Sequence, residues 1–393
     1  APLFVFILAE ELTRPFLPGY IKSLLVPIPW LSPAVVVGLP IVLFMLIVAL
    51  SQPFLGAYSQ RVGARHAMLI GAGTAAFGFV ASAFAGSVLD LLVWRSLCAI
   101  GYAMVFVAAQ AHVLEHSTGA SRARSFALFI GAIMVASVCG PSIGGILADN
   151  IGERLTLGVA LLSLAAIQQL PVAAPVDPAS SPARAPTLRE IRALLVNRHF
   201  MTLTGLAAIP AKALLTGMCF YLVPLYLLDL GSSQSVVGRI LMAYAVMMVL
   251  GTPIAAALAT SRERMENLVC AGLFISGSGG LLLLFGGGAL WVFAAILLVG
   301  LGQSMSIAAQ SALVREHCEA EVTALGEPSV YGVYRLLERF GNALGPLLAA
   351  ALVLTVGYHD AFVWGGAAIA ACGVFFMLAT RRPADPALAR AET

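Results

Sequence analysis

Runs of about 20 apolar residues, each long enough to cross the hydrocarbon core of a bilayer as one helix, stand back to back along nearly the whole of this chain. Twelve can be counted. In the first half they cover Leu3 to Val26, Pro33 to Ala57, Ala67 to Phe84, Leu91 to Val113, Ser125 to Ala148 and Leu155 to Val172. The second half gives Met201 to Leu228, Val236 to Ala259, Asn267 to Phe285, Leu290 to Val314, Ser329 to Val356 and Ala361 to Ala379. Charged residues make up 10% and hydrophobic residues 60% of the 393, against roughly 25% charged in a soluble domain. Water is therefore not the solvent, and the expected fold class is an all-α integral membrane protein of twelve transmembrane helices in two six-helix bundles.

Cytoplasmic loops retain Arg and Lys. With the N-terminus inside, fourteen arginines, from Arg61 and Arg65 to Arg381, Arg382 and Arg390, fall on one side, against Arg154 and Arg239 on the other. Both termini are thus expected in the cytoplasm, in a plasma membrane of the bacterial inner-membrane kind. Six scattered cysteines lack the spacing of a metal site or disulfide framework and read as small core residues. The chain opens on Ala1 and runs straight into a span without a signal peptide's charged head and cleavage site, as a trimmed or excised segment would.

Ala174 to Thr187 is rich in Pro, Ala and Ser, and Leu188 to Arg198 carries three arginines. This reads as a cytoplasmic linker with a short amphipathic helix, which divides the chain into an N-terminal bundle (1–173), linker (174–199), C-terminal bundle (200–381) and tail (382–393). The bundles echo one another at about 200 residues. Leu17-Pro18-Gly19-Tyr20 answers Val223-Pro224-Leu225-Tyr226, and Gln52-Pro53 answers Thr252-Pro253. Ala108-Ala109-Gln110 answers Ala308-Ala309-Gln310, and Gly140-Pro141 answers Gly345-Pro346. Such a repeat is a signature of transporter folds.

Three local motifs deepen that pattern. The second and third spans are joined by Gly56-Ala57-Tyr58-Ser59-Gln60-Arg61-Val62-Gly63-Ala64-Arg65-His66, glycines for a tight turn and cations for the membrane surface. In the fourth span Arg95 is followed by Gly101, and in the fifth Ala136, Gly140-Pro141 and Gly144-Gly145 allow close helix approach and a bend. With six helices, a basic linker and six more, these resemble the major facilitator superfamily, and the fifth-span motif resembles its drug:proton antiporter branch. The resemblance implies a gating role for the loop motif, proton transfer at Arg95 and a hinge at Gly140-Pro141 paired with Gly345-Pro346. The family usually has Asp where this chain has Gln60, and a neutral amide cannot make the same charged latch. Simple helix packing is the competing account of the small residues.

A charge at the centre of a span costs about 2.5 to 3.5 kcal/mol on insertion scales, so each asks for a reason. Glu10, Glu11 and Arg14 share the first span, where Arg14 can reach either carboxylate along one helix face. Pro15 and Pro18 there deprive the carbonyls of Glu11 and Arg14 of their helix partners. Irregular backbone at membrane depth is tolerated where it lines a cavity or is buried in protein, so this segment is expected to face the central pathway, with Glu10 or Glu11 as proton carrier. A static ion pair is the alternative. Tyr331, Arg335, Glu338 and Asn342 form a polar stripe in the eleventh span, with Tyr334 and Arg339 beside it. Glu338 can neutralise Arg335 or Arg339, leaving one positive charge for an anionic or zwitterionic solute; a cytoplasmic gate network is the other reading. Gln303, Ser306 and Gln310 in the tenth span, Lys212 in the seventh and Gln110 in the fourth are pore candidates of lower rank.

No zinc spacing, phosphate loop or nucleophile elbow is present in the sequence, which argues against an enzyme or an ATP-driven pump. The expectation is a secondary carrier without cofactor or metal, acting as a monomer on a small-molecule substrate with protons and membrane lipids, not nucleic acid, as its other partners. Export of an amphipathic or drug-like solute leads, uptake of an organic anion or metabolite is the nearest alternative, and a membrane sensor or lipid-interacting module on the carrier fold is the alternative of another class.

Overall fold

The computed structural model describes residues 2–26, 32–115, 119–159 and 188–380. Among these, every regular element is helical. The first span is two helices, α1 (Pro2–Glu11) and α2 (Leu17–Ser23), parted by a turn. Pro15 has no N–H for the Glu11 carbonyl, which accepts instead from Arg14 N at 3.3 Å, while Glu10 O takes Thr13 N at 3.1 Å and Thr13 Oγ1 at 2.8 Å. Local i→i+3 bonds and a hydroxyl thus satisfy the Glu10 and Glu11 carbonyls at the break.

The first bundle continues with α3 (Pro33–Val62), α4 (Ala64–Ala83), α5 (Val88–Glu115), α6 (Gly119–Ile151) and α7 (Glu153–Gly158). Ser32 caps α3 by accepting from Val35 N, and Pro33 fills the first helical position. Between α3 and α4 the chain turns on Gly63 alone, at φ +85°, a left-handed conformation open to glycine and costly for other residues. The loop motif's glycine therefore has a backbone reason. Beyond residue 159 the rest of the expected sixth span, the Pro-rich linker up to residue 187 and the tail lie outside the described residues.

The amphipathic helix is α8 (Leu188–Val196), with Leu194 buried against the second bundle. The seventh span is composite: α9 (Arg198–Leu203), α10 (Ile209–Leu214) and α11 (Val223–Asp229) are joined by the π-helical stretches Thr204–Ala208 and Leu215–Leu222. Such widened turns recur at functional sites. Then come α12 (Gln234–Leu258), α13 (Arg262–Leu281), α14 (Ala289–His317), α15 (Glu319–Leu325) and α16 (Glu327–Thr380). Gly357, at φ +82°, breaks α16 into the eleventh and twelfth spans. Nine helices among the described residues are long and apolar enough to cross a membrane. With α16 carrying two spans, the first span broken and the sixth mostly outside the description, the architecture accommodates twelve.

The bundles meet on two faces related by the repeat. On one, α12 crosses α6 so closely that a Cβ on Gly238 would strike the Pro141 carbonyl oxygen, and one on Gly145 the Gln234 carbonyl oxygen. On the other, α3 crosses α16, where a Cβ on Gly38 would rest 3.5 Å from the Pro346 carbonyl oxygen. The two Gly-Pro pairs of the sequence repeat thus present equivalent carbonyls to equivalent glycines of the opposite half.

At the end where α6 finishes and α12 begins, the halves are fastened together. The Asp149 carboxylate accepts from Gln234 N at 3.0 Å, Ser235 N at 2.8 Å and Ser235 Oγ, capping α12 across the interface. A helix N-terminus favours negative charge. Gln234 Nε2 donates to Glu153 Oε1 at 3.2 Å, Tyr221 Oη donates to the Ala34 carbonyl, and Lys22 Nζ lies 3.9 Å from Asp229 Oδ1. The molecule is closed at this end.

Candidate functional site

Midway along the spans, a cavity of about 410 Å³ lies between the bundles, lined from both. Its first-half wall includes Glu10, Glu11 and Arg14 at the α1 break, Phe44 and Met45 of α3, Arg95 and Tyr102 of α5, and Met134 and Ser137 of α6. The second half supplies Lys212, Phe220, Tyr244, Met248, Arg339 and Asn342. The irregular backbone of the first span does face the space between the halves.

The two neighbouring carboxylates do not share one arginine. Glu10 takes Arg95 from α5, with Oε1 2.7 Å from Nη2 and Oε2 3.4 Å from Nη1, and the guanidinium is sandwiched 4.7 Å from the Phe44 ring centre and 5.5 Å from that of Phe79. Arg95 and Glu10 are both buried. A removed partner would leave an uncompensated charge in apolar surroundings, which is strongly destabilising. Arg14 is left to Glu11, with Nη2 2.6 Å from Oε1, and Ser137 Oγ donates to the same oxygen at 3.1 Å. The other oxygen, Glu11 Oε2, is buried with no hydrogen-bond partner among the described residues. Arg14 is a quarter exposed and stacks on Phe220 of the opposite bundle, 3.9 Å from the ring centre.

The antiporter-like glycines hold this arrangement. A Cβ on Gly140 would collide with Glu11, and one on Gly144 with the Leu12 carbonyl, so α6 lies directly against the first-span break while Gly145 and Pro141 face α12. One helix turn of small residues therefore serves both the charged site and the interface between halves. The second bundle repeats the first contact, where Gly341 and Gly345 receive the Ile209 and Ala213 carbonyls and Thr216 Oγ1 donates to Asn342 O at 2.8 Å.

In the eleventh span Glu338 pairs with neither neighbouring arginine. Its partner is Lys212 Nζ at 3.4 Å. Arg335 is exposed and outside the cavity, whereas Arg339 lines it with no ion-pair partner among the described residues. The cavity region thus holds Arg14, Arg95, Lys212 and Arg339 against Glu10, Glu11 and Glu338, leaving Arg339 uncompensated.

Several expected pore residues lock helices instead. Gln303 Nε2 donates to Ala211 O at 2.7 Å, Gln310 Nε2 to Ser306 Oγ at 2.6 Å, Tyr334 Oη to Gln310 Oε1 at 3.4 Å and Tyr331 Oη to Ser311 O at 2.9 Å. None of these, nor Gln110, lines the cavity. In the loop motif, Gly56 packs near Val107, Arg61 is exposed and Arg65 half-buried, and the Gln60 side chain lies outside the described set. Sequence reasoning passed over Tyr102, Phe220 and Tyr244, all of which line the cavity. The signal for Tyr102 was available, since it stands two helical turns beyond Arg95 on one face of α5. Phe220 and Tyr244 belong to apolar stretches that carry no such mark.

The family model described as Major Facilitator Superfamily matches residues 3–326. The chain belongs to the major facilitator superfamily. Among solved structures, the human organic anion transporter MFSD10 is similar at 19% identity, covering 95% of this chain and 97% of that one, with a TM-score of 0.64. A mutant of the peptide transporter POT in complex with sulfate is similar at 15% identity, with 96% and 92% covered and a TM-score of 0.72. No curated protein matches the sequence. As a superfamily member the chain is a multi-pass integral membrane protein with the fold of a secondary transporter for small molecules, in a family of carriers rather than enzymes.

Proposed function

We propose that this superfamily member is a proton-coupled carrier, working by alternating access, for a small amphipathic solute that bears negative charge. The observation that carries the reading is Arg339, a cation without a counter-ion among the described residues, in a cavity whose other cations are each matched by a carboxylate. A charge at such depth costs several kcal/mol unless compensated, and a bound anion would compensate it. Phe44, Met45, Met134, Phe220 and Met248 give the same cavity an apolar, adaptable wall for the body of the solute. Glu11, with one oxygen unpartnered, is the proton carrier, and Glu10 with Arg95 is the static pair. With both termini cytoplasmic, the closed end faces outward and the solute enters from the cytoplasmic side in this state. The likeness to an organic anion transporter is one of fold and does not carry the reading.

The glycine-proline pattern of α6 favours a second reading, efflux of a drug-like compound by antiport. Reconstitution into liposomes separates the two. An imposed pH gradient is expected to drive movement of 1-naphthalenesulfonate, a strong-acid anion, and not of an aromatic cation such as ethidium. Movement of ethidium alone would replace the anion reading with the second, and movement of neither would favour a sensor or lipid-interacting module.

A further inference from the structure

We propose that Arg14 is shared in time between Glu11 and the solute, so that proton and anion bind cooperatively and cross in the same direction. The inference rests on the anion-carrier reading of the cavity and assigns the sign of its coupling. Glu11 occupies one donor of a guanidinium that has five, at 2.6 Å, and the Arg14 side chain remains a quarter exposed to the cavity. Its plane is held by the Phe220 ring at 3.9 Å. The Phe220 contact does not depend on the charge of Glu11, so it keeps the guanidinium in place when that charge is cancelled.

A proton arriving at Glu11 Oε2 breaks no hydrogen bond, because that oxygen has none. Ser137 and Arg14 both meet the other oxygen, Oε1. Glu10 is unsuited to the task, since Arg95 engages both of its oxygens and would be left buried and unpaired. The groups facing Glu11 are Arg14 and Glu10 on its own span, Arg95 and Tyr102 on α5, and Lys212, Cys219, Tyr244 and Arg339 across the cavity. From α6 the polar contribution to the lining is Ser137.

In the empty carrier Arg14 is neutralised and Arg339 is the one surplus cation among the described residues of the cavity. Protonation of Glu11 raises the surplus to two positive charges in a space poorly screened by water, and an anion binds more tightly there. Linkage makes this reciprocal: the anion raises the affinity for the proton by the same factor, typically 5- to 150-fold for coupled sites. Antiport requires the opposite sign, a solute that expels the proton, which a cationic group competing for the Glu11 carboxylate would do and an anion cannot.

The deciding measurement is the direction of proton movement on binding. The purified chain is placed in weakly buffered detergent solution at pH 7.5 with a pH indicator, and 1-naphthalenesulfonate is added; its sulfonate does not titrate, so any proton exchanged belongs to the protein. Proton uptake is expected, with affinity about tenfold or more tighter at pH 6 than at pH 8. Glu11→Gln should bind the probe at the tight value at both pH values without proton uptake, and Arg14→Gln should lose the pH dependence together with most of the affinity. Proton release, or equal affinity at both pH values in the unaltered chain, overturns the proposal while leaving the anion reading intact. Absence of binding by the unaltered chain overturns both. The proton count on the unaltered chain decides the matter even where a variant fails to fold.

Discussion

Substituting Gly145 by Ala should move the conformational balance of this carrier without touching its cavity. Gly145 is not among the cavity-lining residues. A Cβ there would meet the Gln234 carbonyl oxygen, with Gln234 C at 2.7 Å and Ser235 Cα at 3.0 Å. All three atoms belong to the backbone at the start of α12, which the Asp149 carboxylate holds in place, so no flexible side chain can yield. Inserting a methyl group into such a contact costs about 1–3 kcal/mol. The penalty falls on the state in which α6 and α12 touch and vanishes when they separate, so the ratio of closed to open at this end should fall by about 5- to 150-fold. Gly38→Ala is the internal control, because its Cβ would find the Pro346 carbonyl oxygen at 3.5 Å, an ordinary contact. Pulsed electron paramagnetic resonance between spin labels at the exposed positions Arg154 and Arg239 reads the separation directly, once the partly exposed Cys139 and Cys372 are replaced by Ser. An unchanged distance distribution in Gly145→Ala, or an equal shift in Gly38→Ala, would refute the reasoning.

Burial pushes the Glu153 carboxyl, beside Gln234 at the closed end, up to about 7 from an ordinary 4.5. Its contribution to closure is therefore full below about pH 4.5 and lost as pH rises through about 7, so the same labels should report more opening at pH 8 than at pH 5.5, a difference that Glu153→Gln abolishes. Arg95→Met leaves Glu10 buried without its partner and should cost about 3–5 kcal/mol of stability. The double variant Glu10→Gln/Arg95→Met should recover much of that loss in thermal unfolding, and additive losses would count against a buried pair. Arg339→Gln should weaken 1-naphthalenesulfonate binding by roughly tenfold or more, the worth of a hydrogen bond to a charged group, while raising the melting temperature of the empty protein, because an uncompensated charge is removed; equal affinity would remove Arg339 from the site.

The fold was legible because its physics is written in composition and period: apolar runs of membrane length, arginines sorted to one side and a repeat at about 200 residues. Glu10, Glu11, Arg14 and Arg95 could be singled out because charge at membrane depth needs a reason. Their pairing could not be read, because sequence spacing sees only partners on the same helix. Arg14 was a candidate partner for either carboxylate, yet Arg95, 85 positions from Glu10 in the chain, takes one of them. The same limit hid the Lys212 to Glu338 pair and made Arg335 look equal to Arg339. Gln303 and Gln310 looked like pore residues because a buried amide must bond to something, and only the packing says that Gln303 donates to Ala211 O and Gln310 accepts from Tyr334 on neighbouring helices.

The repeat also places Arg14 in the molecule. At the offset that aligns Leu17-Pro18-Gly19-Tyr20 with Val223-Pro224-Leu225-Tyr226, Arg14 answers to Phe220, and Glu10 and Glu11 answer to Thr216 and Gly217. Arg14 and Phe220 are in contact. Two positions exchanged by a pseudo-two-fold axis can touch only if both lie close to that axis, so the guanidinium stands where the two bundles pivot. A charge at that point stays near the middle of the pathway whichever end is open. The second bundle has no carboxylate or arginine at the matching positions, only a hydroxyl, a glycine and an aromatic ring, so the proposed proton site of the first span has no counterpart there. On the proposed mechanism the rocking motion can be symmetric while its control is not: the second bundle contributes the platform on which Arg14 rests and Arg339, without an ion-pair partner among the described residues, and the first contributes the Glu11 carboxylate that decides when Arg14 is free.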